Sequence, residues 1–344
     1  MSLRYHVQEI MKINPVPAQW PRMIVCAFAT SFPLIIGVLT DQLPISIFGA
    51  LTGFLLVLND HMGSLGHRLW VITLTFLILA AGLFIGISTG QHKPLFIPLL
   101  LFATYWVGLM GGQGDEFGRA ILFSIFQMLA GAYAAGLKEY AGAVGLYSLI
   151  GYLCVVGMLT LLVFLRRHTP NPFARVRSTI RNSLTKERGR HLYALCYTLA
   201  VLGSLLLVDY FKINHGYWAV GTVLIIMRPS LTQSIYRLIQ RLFGTVLGVL
   251  VAEALIITIH SPWPAIAVTA FVSFWGPWSL SRSYMWGSAV VSVMILLLLD
   301  MPHLEYGDLN TPVLRLAATG LGCLVSLAGA LLANPRALFK KNVD

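Results

Sequence analysis

The chain has 344 residues, of which 57% are hydrophobic and only 11% are charged, and its mean hydropathy is +0.77. Soluble globular proteins carry about 45–50% apolar and about 25% charged residues. The composition therefore excludes an ordinary water-soluble protein and predicts an all-α integral membrane protein. The formal net charge of +11 would suggest a nucleic-acid partner in a soluble domain, so the positions of the charges along the chain decide its meaning.

Twelve apolar segments follow one another along the chain and are predicted to be transmembrane helices. A bilayer core of about 30 Å requires roughly 20 residues of helix, with 17–25 the usual range. The segments are residues 22–40, 44–59, 68–88, 94–110, 118–137, 143–165, 191–208, 215–228, 238–259, 263–280, 284–300 and 312–333. Whether the short segments 44–59 and 215–228 cross the bilayer completely is left open. No cleavable signal is evident, so we expect the first segment to remain as a span.

Basic residues alternate between successive loops and predict the orientation of the chain. Cytoplasmic loops concentrate Lys and Arg. With both termini in the cytoplasm, that side holds 20 of the 24 basic residues, and only Lys93, Lys138, Lys212 and Arg315 fall on the other side. The sequence therefore predicts a multi-pass protein of the inner (plasma) membrane with cytoplasmic N- and C-termini. The excess positive charge is therefore explained by the orientation of the protein in the membrane, and no nucleic-acid partner is expected.

The second half of the sequence repeats the first half at a shift of 169 residues, without a gap. Rare residues coincide at this single shift: Arg68 with Arg237, Trp106 with Trp275, and Cys154 with Cys323. The apolar segments coincide as well, which predicts two parallel six-helix repeats at residues 1–168 and 169–344. Transport paths in carriers built from repeats usually lie at the repeat interface near the bilayer midplane.

A short amphipathic segment precedes the first span of each repeat. Residues 171–190 begin with Asn-Pro and carry apolar residues at helical spacing, with arginines off that stripe. A weaker version runs from Leu3 to Asn14. Both segments are predicted to be interfacial helices on the cytoplasmic leaflet, with anionic lipids as partners. A solvated linker is the alternative interpretation of residues 171–190.

The most informative segment runs from His215 to Glu253. It contains Tyr217-Trp218-Ala219-x-x-Thr222, then Pro229, then Arg237-x-x-x-Arg241-x-x-Gly244-Thr245-x-x-Gly248. Arg237 and Arg241 are four residues apart and share one face of a helix. Gly244, Thr245 and Gly248 form a face of small residues on which another helix can pack closely.

At these residues the sequence resembles the fusaric acid resistance (FUSC) family of membrane proteins, which includes aromatic acid exporters and is related in design to plant aluminium-activated malate transporters. The resemblance implies six-helix units used in pairs and efflux or conduction of small organic anions. The motif is weaker in the first half, where Phe48 and Gly49 occupy the Tyr-Trp positions and Ile72 replaces the second arginine. We therefore expect the two halves to differ in function.

Ionisable residues within membrane spans are costly and often mark transport paths. Glu253 lies twelve residues beyond Arg241, well inside the bilayer at about 1.5 Å per residue, and is the candidate for a proton-coupling carboxylate. A structural hydrogen bond between helices is its alternative role. Arg68, Arg228, Arg237 and Arg241 could collect anions in a basic vestibule, or they could anchor the protein at lipid phosphates.

Aromatic and amide side chains supply further candidates. Tyr217, Trp218 and Trp275 could stack against an aromatic substrate, although interfacial aromatic belts use the same residue types. Gln127 could line a polar path or form a hydrogen bond between helices. Arg315 and Asp300 lie towards the predicted external side, where they could pair or extend to the interface.

The sequence carries no pattern typical of an enzyme site. It has no HExxH motif and no P-loop lysine after a glycine loop. The four cysteines fall in apolar runs without a CxxC pair, which favours buried small hydrophobes over metal ligands. We expect no catalysis, cofactor or metal site.

The leading hypothesis is a secondary transporter that exports small organic anions, aromatic or carboxylated, using the proton gradient. A passive organic or inorganic anion channel and a non-transporting membrane scaffold remain as alternatives. The sequence leaves the cargo's identity and homo-oligomerisation open.

Overall fold

The protein is described by a computed structural model that covers residues 3–60, 64–111, 116–164, 188–213, 216–303 and 310–334. Within these ranges the chain is helical and contains no strand. The α-helices are α1 Leu3–Ile10, α2 Trp20–Leu39, α3 Leu43–Asn59, α4 Leu65–Thr89, α5 Lys93–Leu109, α6 Glu116–Tyr133, α7 Ala141–Phe164, α8 Arg188–Tyr210, α9 Tyr217–Ile226, α10 Leu231–Thr258, α11 Pro262–Arg282, α12 Tyr284–Asp300 and α13 Asn310–Ala333. Two 3-10 helices, Ala134–Tyr140 and Met301–His303, follow α6 and α12.

Helices α2 to α13 overlap the twelve predicted segments, and α10 begins seven residues before its predicted segment 238–259. Among the described residues, six stretches are long and apolar enough to span a bilayer: Trp20–Leu39, Leu65–Thr89, Lys138–Leu162, Arg190–Tyr210, Leu231–Thr258 and Leu314–Ala333. The helices α3, α5, α9 and α12 are apolar but shorter, and α9 has only 10 residues. The fold is therefore that of an all-helical, multi-pass membrane protein, while twelve complete spans stay a prediction.

Local sequence explains where several helices begin and end. Helices α2, α3, α5 and α11 have a proline in the first turn, where its missing N–H removes no intrahelical hydrogen bond. Helix α9 ends shortly before Pro229, which disfavours helical geometry in the preceding residue. At this break the Arg228 N–H donates to Ser234 Oγ at 2.9 Å, and that hydroxyl lies 3.2 Å from the Arg228 carbonyl oxygen.

The main helix contacts recur in the two halves of the chain. Helix α4 packs along α6 and α3 along α7, while α10 packs along α12 and α9 along α13. Two further pairs join the halves: α2 packs against α11, and α5 packs against α8. Each half thus packs the fourth of its six apolar helices against the first helix of the other half.

Small residues allow close approach within the parallel pairs α4–α6 and α10–α12. A Cβ atom added to Gly131 would stand 2.6 Å from the Leu83 carbonyl oxygen, and one added to Gly248 would stand 2.6 Å from that of Ala289. Gly244, the other glycine of the motif, faces Met285 and Ser288 on α12 in the same way. The small face of α10 therefore packs directly against α12.

The N-terminal segment contacts the ends of α10 and α11. His6 Nδ1 lies 2.6 Å from the Tyr236 hydroxyl, and Gln240 Nε2 donates to the Ile10 carbonyl oxygen at 2.7 Å. Helix α1 is thus held to the bundle by hydrogen bonds in addition to any contact with lipid. The second predicted interfacial helix, residues 171–190, lies almost entirely outside the described residues.

Candidate functional site

A cavity of about 440 Å³ lies between the two halves of the bundle. Its walls come from α2, α3 and α6 of the first half and α9 to α12 of the second half. Lining residues run from Ile47 to Leu58 along α3 and from Arg119 to Ala130 along α6. With a rise of about 1.5 Å per residue, each row extends about 16 Å, or half of a bilayer core. The volume is within the range typical of small-molecule sites.

The two ends of the cavity differ in chemistry. One end carries four arginines, Arg22, Arg119, Arg237 and Arg241, and we call it the arginine end. The other, called the apolar end, is lined by residues including Phe48, Leu129 and Leu298, which are 8%, 5% and 2% exposed. None of the described residues that line the cavity is acidic. The cavity therefore presents positive charge beside apolar walls, with no lining carboxylate to neutralise it.

Two of the four arginines tie neighbouring helices to the C-terminal end of α3. Arg22 Nε and Nη2 donate to the Val57 carbonyl oxygen at 3.0 and 2.9 Å, and Nη2 also reaches the Leu58 carbonyl oxygen at 2.9 Å. Arg119 Nε donates to Asn59 Oδ1 at 3.1 Å. Carbonyl groups at a helix C-terminus lack intrahelical partners and carry partial negative charge. These arginines thus hold α2 and α6 against α3 and add positive potential to the cavity.

Arg237 and Arg241 lie on the opposite wall. The Arg237 guanidinium carbon is 4.2 Å from the centre of the Tyr284 ring, which is a cation–π contact. Arg241 is 6% exposed, and its Nη1 lies 3.4 Å from Ser288 Oγ, while its Nε has no hydrogen-bond partner. Buried charges are normally paired because their desolvation is expensive. Among the four cavity arginines, Arg241 is thus the one with a buried nitrogen that lacks a hydrogen-bond partner.

Aromatic side chains form much of the remaining wall. Tyr217 and Trp218, the first two residues of α9, have ring centres 4.9 Å apart and both line the cavity. The aromatic lining residues are Phe48, Phe54, Phe123, Phe126, Tyr217, Trp218 and Tyr284. Such rings favour offset or edge contacts with another aromatic ring. The site can accordingly hold an anionic group at the arginines and an apolar or aromatic body beside them.

Arg315 lies behind Trp218, outside the cavity wall. Its guanidinium carbon is 3.9 Å from the centre of the Trp218 ring, and the residue is 1% exposed. Extension to the interface does not describe it, because Arg315 is buried inside the bundle. Asp300 interacts with it electrostatically. The sequence shows an arginine inside an apolar helix, but only the packing of α13 shows that its side chain contacts Trp218.

Two predicted charged residues fall outside the cavity. Glu253 is half-buried on α10, does not line the cavity, and forms no hydrogen bond or ion pair with any described residue. Its predicted role in proton coupling therefore gains no support from its position. Arg228 lies at the junction of α9 and α10 and also does not line the cavity.

The remaining predicted side chains make contacts elsewhere in the bundle. Gln127 is fully buried and donates to Thr52 Oγ1 at 2.8 Å, which links α6 to α3. Thr245 is 1% exposed and its hydroxyl has no partner. Trp275 lies outside the cavity, with its ring centre 6.5 Å from that of Trp20 in the α2–α11 contact. Gln127 and Trp275 thus hold helices together.

Arg68, the counterpart of Arg237 in the first half, forms an ion pair away from the cavity. Its Nε and Nη2 donate to the two carboxylate oxygens of Asp60 at 2.9 and 2.5 Å. The side chains of Arg68 and Asp60 are 15% and 4% exposed. This bidentate ion pair connects the end of α3 to the first turn of α4. The Arg68 guanidinium is therefore paired with Asp60 and does not face an anion in the cavity.

Removing Asp60 should destabilise the fold because it leaves a nearly buried guanidinium without its carboxylate. We expect Asp60→Asn to lower the free energy of unfolding by about 3–5 kcal/mol, measured by denaturant titration in detergent. The double variant Asp60→Asn/Arg68→Gln should lose less than the sum of the two single variants. Additive losses would show that the pair contributes no coupling energy.

Comparison with known families supports the predicted resemblance. Residues 200–329 match the family model described as fusaric acid resistance protein-like. The matched segment contains α9 to α12 and, with them, Tyr217, Trp218, Arg237 and Arg241 of the cavity. The chain is thus a multi-pass helical membrane protein of a class related to membrane transport. The resemblance to the FUSC family is confirmed over this segment.

Curated relatives match over short segments. An uncharacterized protein, ORF2, from Neisseria gonorrhoeae is 36% identical over 74 residues, which cover 22% of this chain and 18% of that protein. An uncharacterized protein from Haemophilus influenzae is 25% identical over 154 residues, or 44% of this chain and 21% of that protein. The alignments therefore span about a fifth of each relative's length. No solved structure gives a significant match.

Proposed function

We propose that this protein is a secondary transporter that exports small organic anions, aromatic or carboxylated, through the cavity between its halves. The observation that carries the proposal is a cavity lined by four arginines and seven aromatic residues, with no acidic residue among its described lining. Guanidinium groups bind carboxylates through charge-assisted hydrogen bonds, and aromatic walls suit a ring. These properties complement an aromatic carboxylate better than a cation or a neutral sugar.

The closed apolar end favours a carrier over an open channel. Phe48, Leu129 and Leu298 are buried at that end, and an anion could not cross them without losing its water. The arginine end lies where α2, α6 and α10 begin, which the loop charges predict to be the cytoplasmic side of an inner membrane. In that orientation the cargo enters from the cytoplasm, and transport is export.

Two six-helix repeats, residues 1–168 and 169–344, are the moving parts in this proposal. Its support is the recurrence of the same helix contacts in both halves. Residues related by the shift of 169 also line the cavity together: Phe48 with Tyr217, Phe126 with Ile295, and Leu129 with Leu298. Rocking of one repeat against the other about a fixed site is the usual mechanism of repeat-built carriers.

The halves contribute unequally to anion binding. Arg241 has Ile72 as its counterpart in the first half, and Arg68, the counterpart of Arg237, is occupied by Asp60. We therefore assign the binding of the anionic group to Arg237 and Arg241 of the second half. The first half contributes part of the apolar wall. Coupling to protons is included in the proposal, with Glu253 as its predicted carboxylate despite its position outside the cavity.

Flux through proteoliposomes tests this function. Purified protein is reconstituted with labelled benzoate or benzenesulfonate inside the vesicles; the sulfonate stays charged and does not leak as a neutral acid. We expect saturable efflux above that of protein-free vesicles, faster under an inward proton gradient, and slower gradient-driven efflux in Glu253→Gln.

Other results would change the assignment. Unitary anion currents in planar bilayers would support a channel. Flux that does not depend on the proton gradient would contradict proton coupling but not anion transport. Efflux of both probes indistinguishable from that of protein-free vesicles would overturn the transport proposal and favour a membrane scaffold.

A further inference from the structure

Arg315 is a buried cation whose hydrogen-bonding capacity is largely unused. Its Nη2 lies 3.4 Å from Ser292 Oγ, whereas Nε and Nη1 have no hydrogen-bond partner. Asp300 interacts with it electrostatically, but no described carboxylate satisfies these two nitrogens. Buried polar groups nearly always have partners, and an unpaired buried charge is expensive. These two donors are therefore available to an anion that comes from outside the chain.

Arg315 and Arg241 contact the same helix, α12, at neighbouring positions. Arg241 is within 3.4 Å of Ser288 and Arg315 within 3.4 Å of Ser292, and these serines are four residues apart on α12. Residues four apart share one helix face and are separated by about one turn, roughly 5.4–6 Å. Each arginine thus contacts one serine of α12, and the two contacts lie about one helical turn apart.

Trp218 separates these two positions. Its ring lines the cavity and also covers the Arg315 guanidinium at 3.9 Å. The indole Nε1 is buried and has no hydrogen-bond partner. No hydrogen bond from the indole nitrogen therefore fixes the orientation of this ring, which contacts the Arg315 guanidinium and the Tyr217 ring.

We propose that Arg315 and Ser292 form a second anion-binding site, one helical turn beyond Arg241, that receives the anionic group of the cargo when the Trp218 ring moves aside. The inference rests on the proposed function, since the cargo is the same small aromatic anion. A charge-assisted hydrogen bond from the guanidinium is stronger than its cation–π contact with the ring. The arriving carboxylate or sulfonate can therefore displace the ring, and Trp218 acts as a gate between the two sites.

A purely structural role for Arg315 predicts different behaviour. In that case the arginine would only fill space against Trp218, and its replacement would weaken folding and reduce cargo binding and flux together. A second site on the pathway predicts instead that cargo still binds at Arg237 and Arg241 but does not pass onward. Binding and flux must therefore be measured separately on the same variants.

The experiment compares Arg315→Gln, Arg315→Lys and the control Arg282→Gln. Arg282 also lies over a tryptophan, 4.6 Å from the centre of the Trp278 ring, but does not line the cavity. Equilibrium binding of labelled benzenesulfonate is measured on full-length protein in detergent, and efflux is measured in proteoliposomes. We expect Arg315→Gln to bind within about threefold of the unmodified protein and to lose at least tenfold in flux, with partial recovery in Arg315→Lys and no change in the control.

Each other outcome is informative. Flux in Arg315→Gln equal to that of the control overturns the second site and leaves the proposed function intact. Loss of binding together with flux in both Arg315 variants is the result expected of a purely structural role, and it also overturns the second site. If the unmodified protein neither binds nor moves benzenesulfonate or benzoate, the proposed function and this inference both fail.

Discussion

Replacing Arg241 by glutamine is expected to weaken the binding of benzoate to the cavity by at least about 30-fold, or about 2 kcal/mol or more. Arg241 is 6% exposed, lines the cavity and has an unpartnered Nε. Its guanidinium can bind a carboxylate in low-dielectric surroundings, where charge-assisted hydrogen bonds are strong. Equilibrium binding in detergent measures the loss directly, and flux in proteoliposomes should fall in parallel.

Arg228→Gln is the matched control for this variant. It removes the same charge from a residue that the sequence favours equally but that does not line the cavity. We expect benzoate binding within about twofold of the unmodified protein. Equal losses in the two variants would show that a general positive potential attracts the anion, and would contradict a defined site at Arg241.

Replacing Gly248 by leucine is expected to prevent correct assembly of the bundle. A Cβ atom at Gly248 would stand 2.6 Å from both the Ala289 carbonyl oxygen and Ser292 Cβ. A backbone carbonyl cannot rotate away, so α12 must separate from α10, and overpacking of this kind is strongly destabilising. The change also displaces Ser292, which holds Arg315. Size-exclusion chromatography and thermal unfolding in detergent should show aggregated protein or a greatly lowered melting temperature.

Gly157→Leu provides the same substitution on another helix. Gly157 lies on α7, and a Cβ atom there would meet no atom within 4 Å. We expect this variant to elute and melt like the unmodified protein. A normal elution profile and melting temperature for Gly248→Leu would contradict the close α10–α12 contact, and aggregation of both variants would indicate a general intolerance of leucine.

The positions of the helices could be predicted because bilayer thickness and first-turn prolines constrain them strongly. Helix α10 is an exception, since it begins at Leu231 rather than near residue 238, where the apolar run starts. Its additional turns lie outside that run, and α1 contacts them through the hydrogen bond between His6 and Tyr236. This is a tertiary contact that no local pattern contains.

The cavity was predictable only in part. Tyr217, Trp218, Arg237 and Arg241 belong to one motif on two consecutive helices, so they meet as the sequence suggests. The sequence places Arg22 and Arg119 only among the 20 basic residues of the predicted cytoplasmic side, because their position in the cavity wall depends on how α2 and α6 pack against α3.

Helical geometry explains why Glu253 lies off the cavity. Twelve residues at about 100° each place it roughly 120° around α10 from Arg241. By the same geometry, Gly248 lies seven residues from Arg241 and points within about 20° of the same direction around the helix. The predicted depth of Glu253 in the membrane favours a transport role, but its direction around α10 points away from the cavity.

The contacts of α2 with α11 and of α5 with α8 also restrict how the protein can move. Each half packs one of its helices against a helix of the other, so a simple separation of the halves would break both contacts. In the proposed transport cycle, the halves would instead tilt about these two contacts. Such tilting would open the cavity to one membrane face at a time.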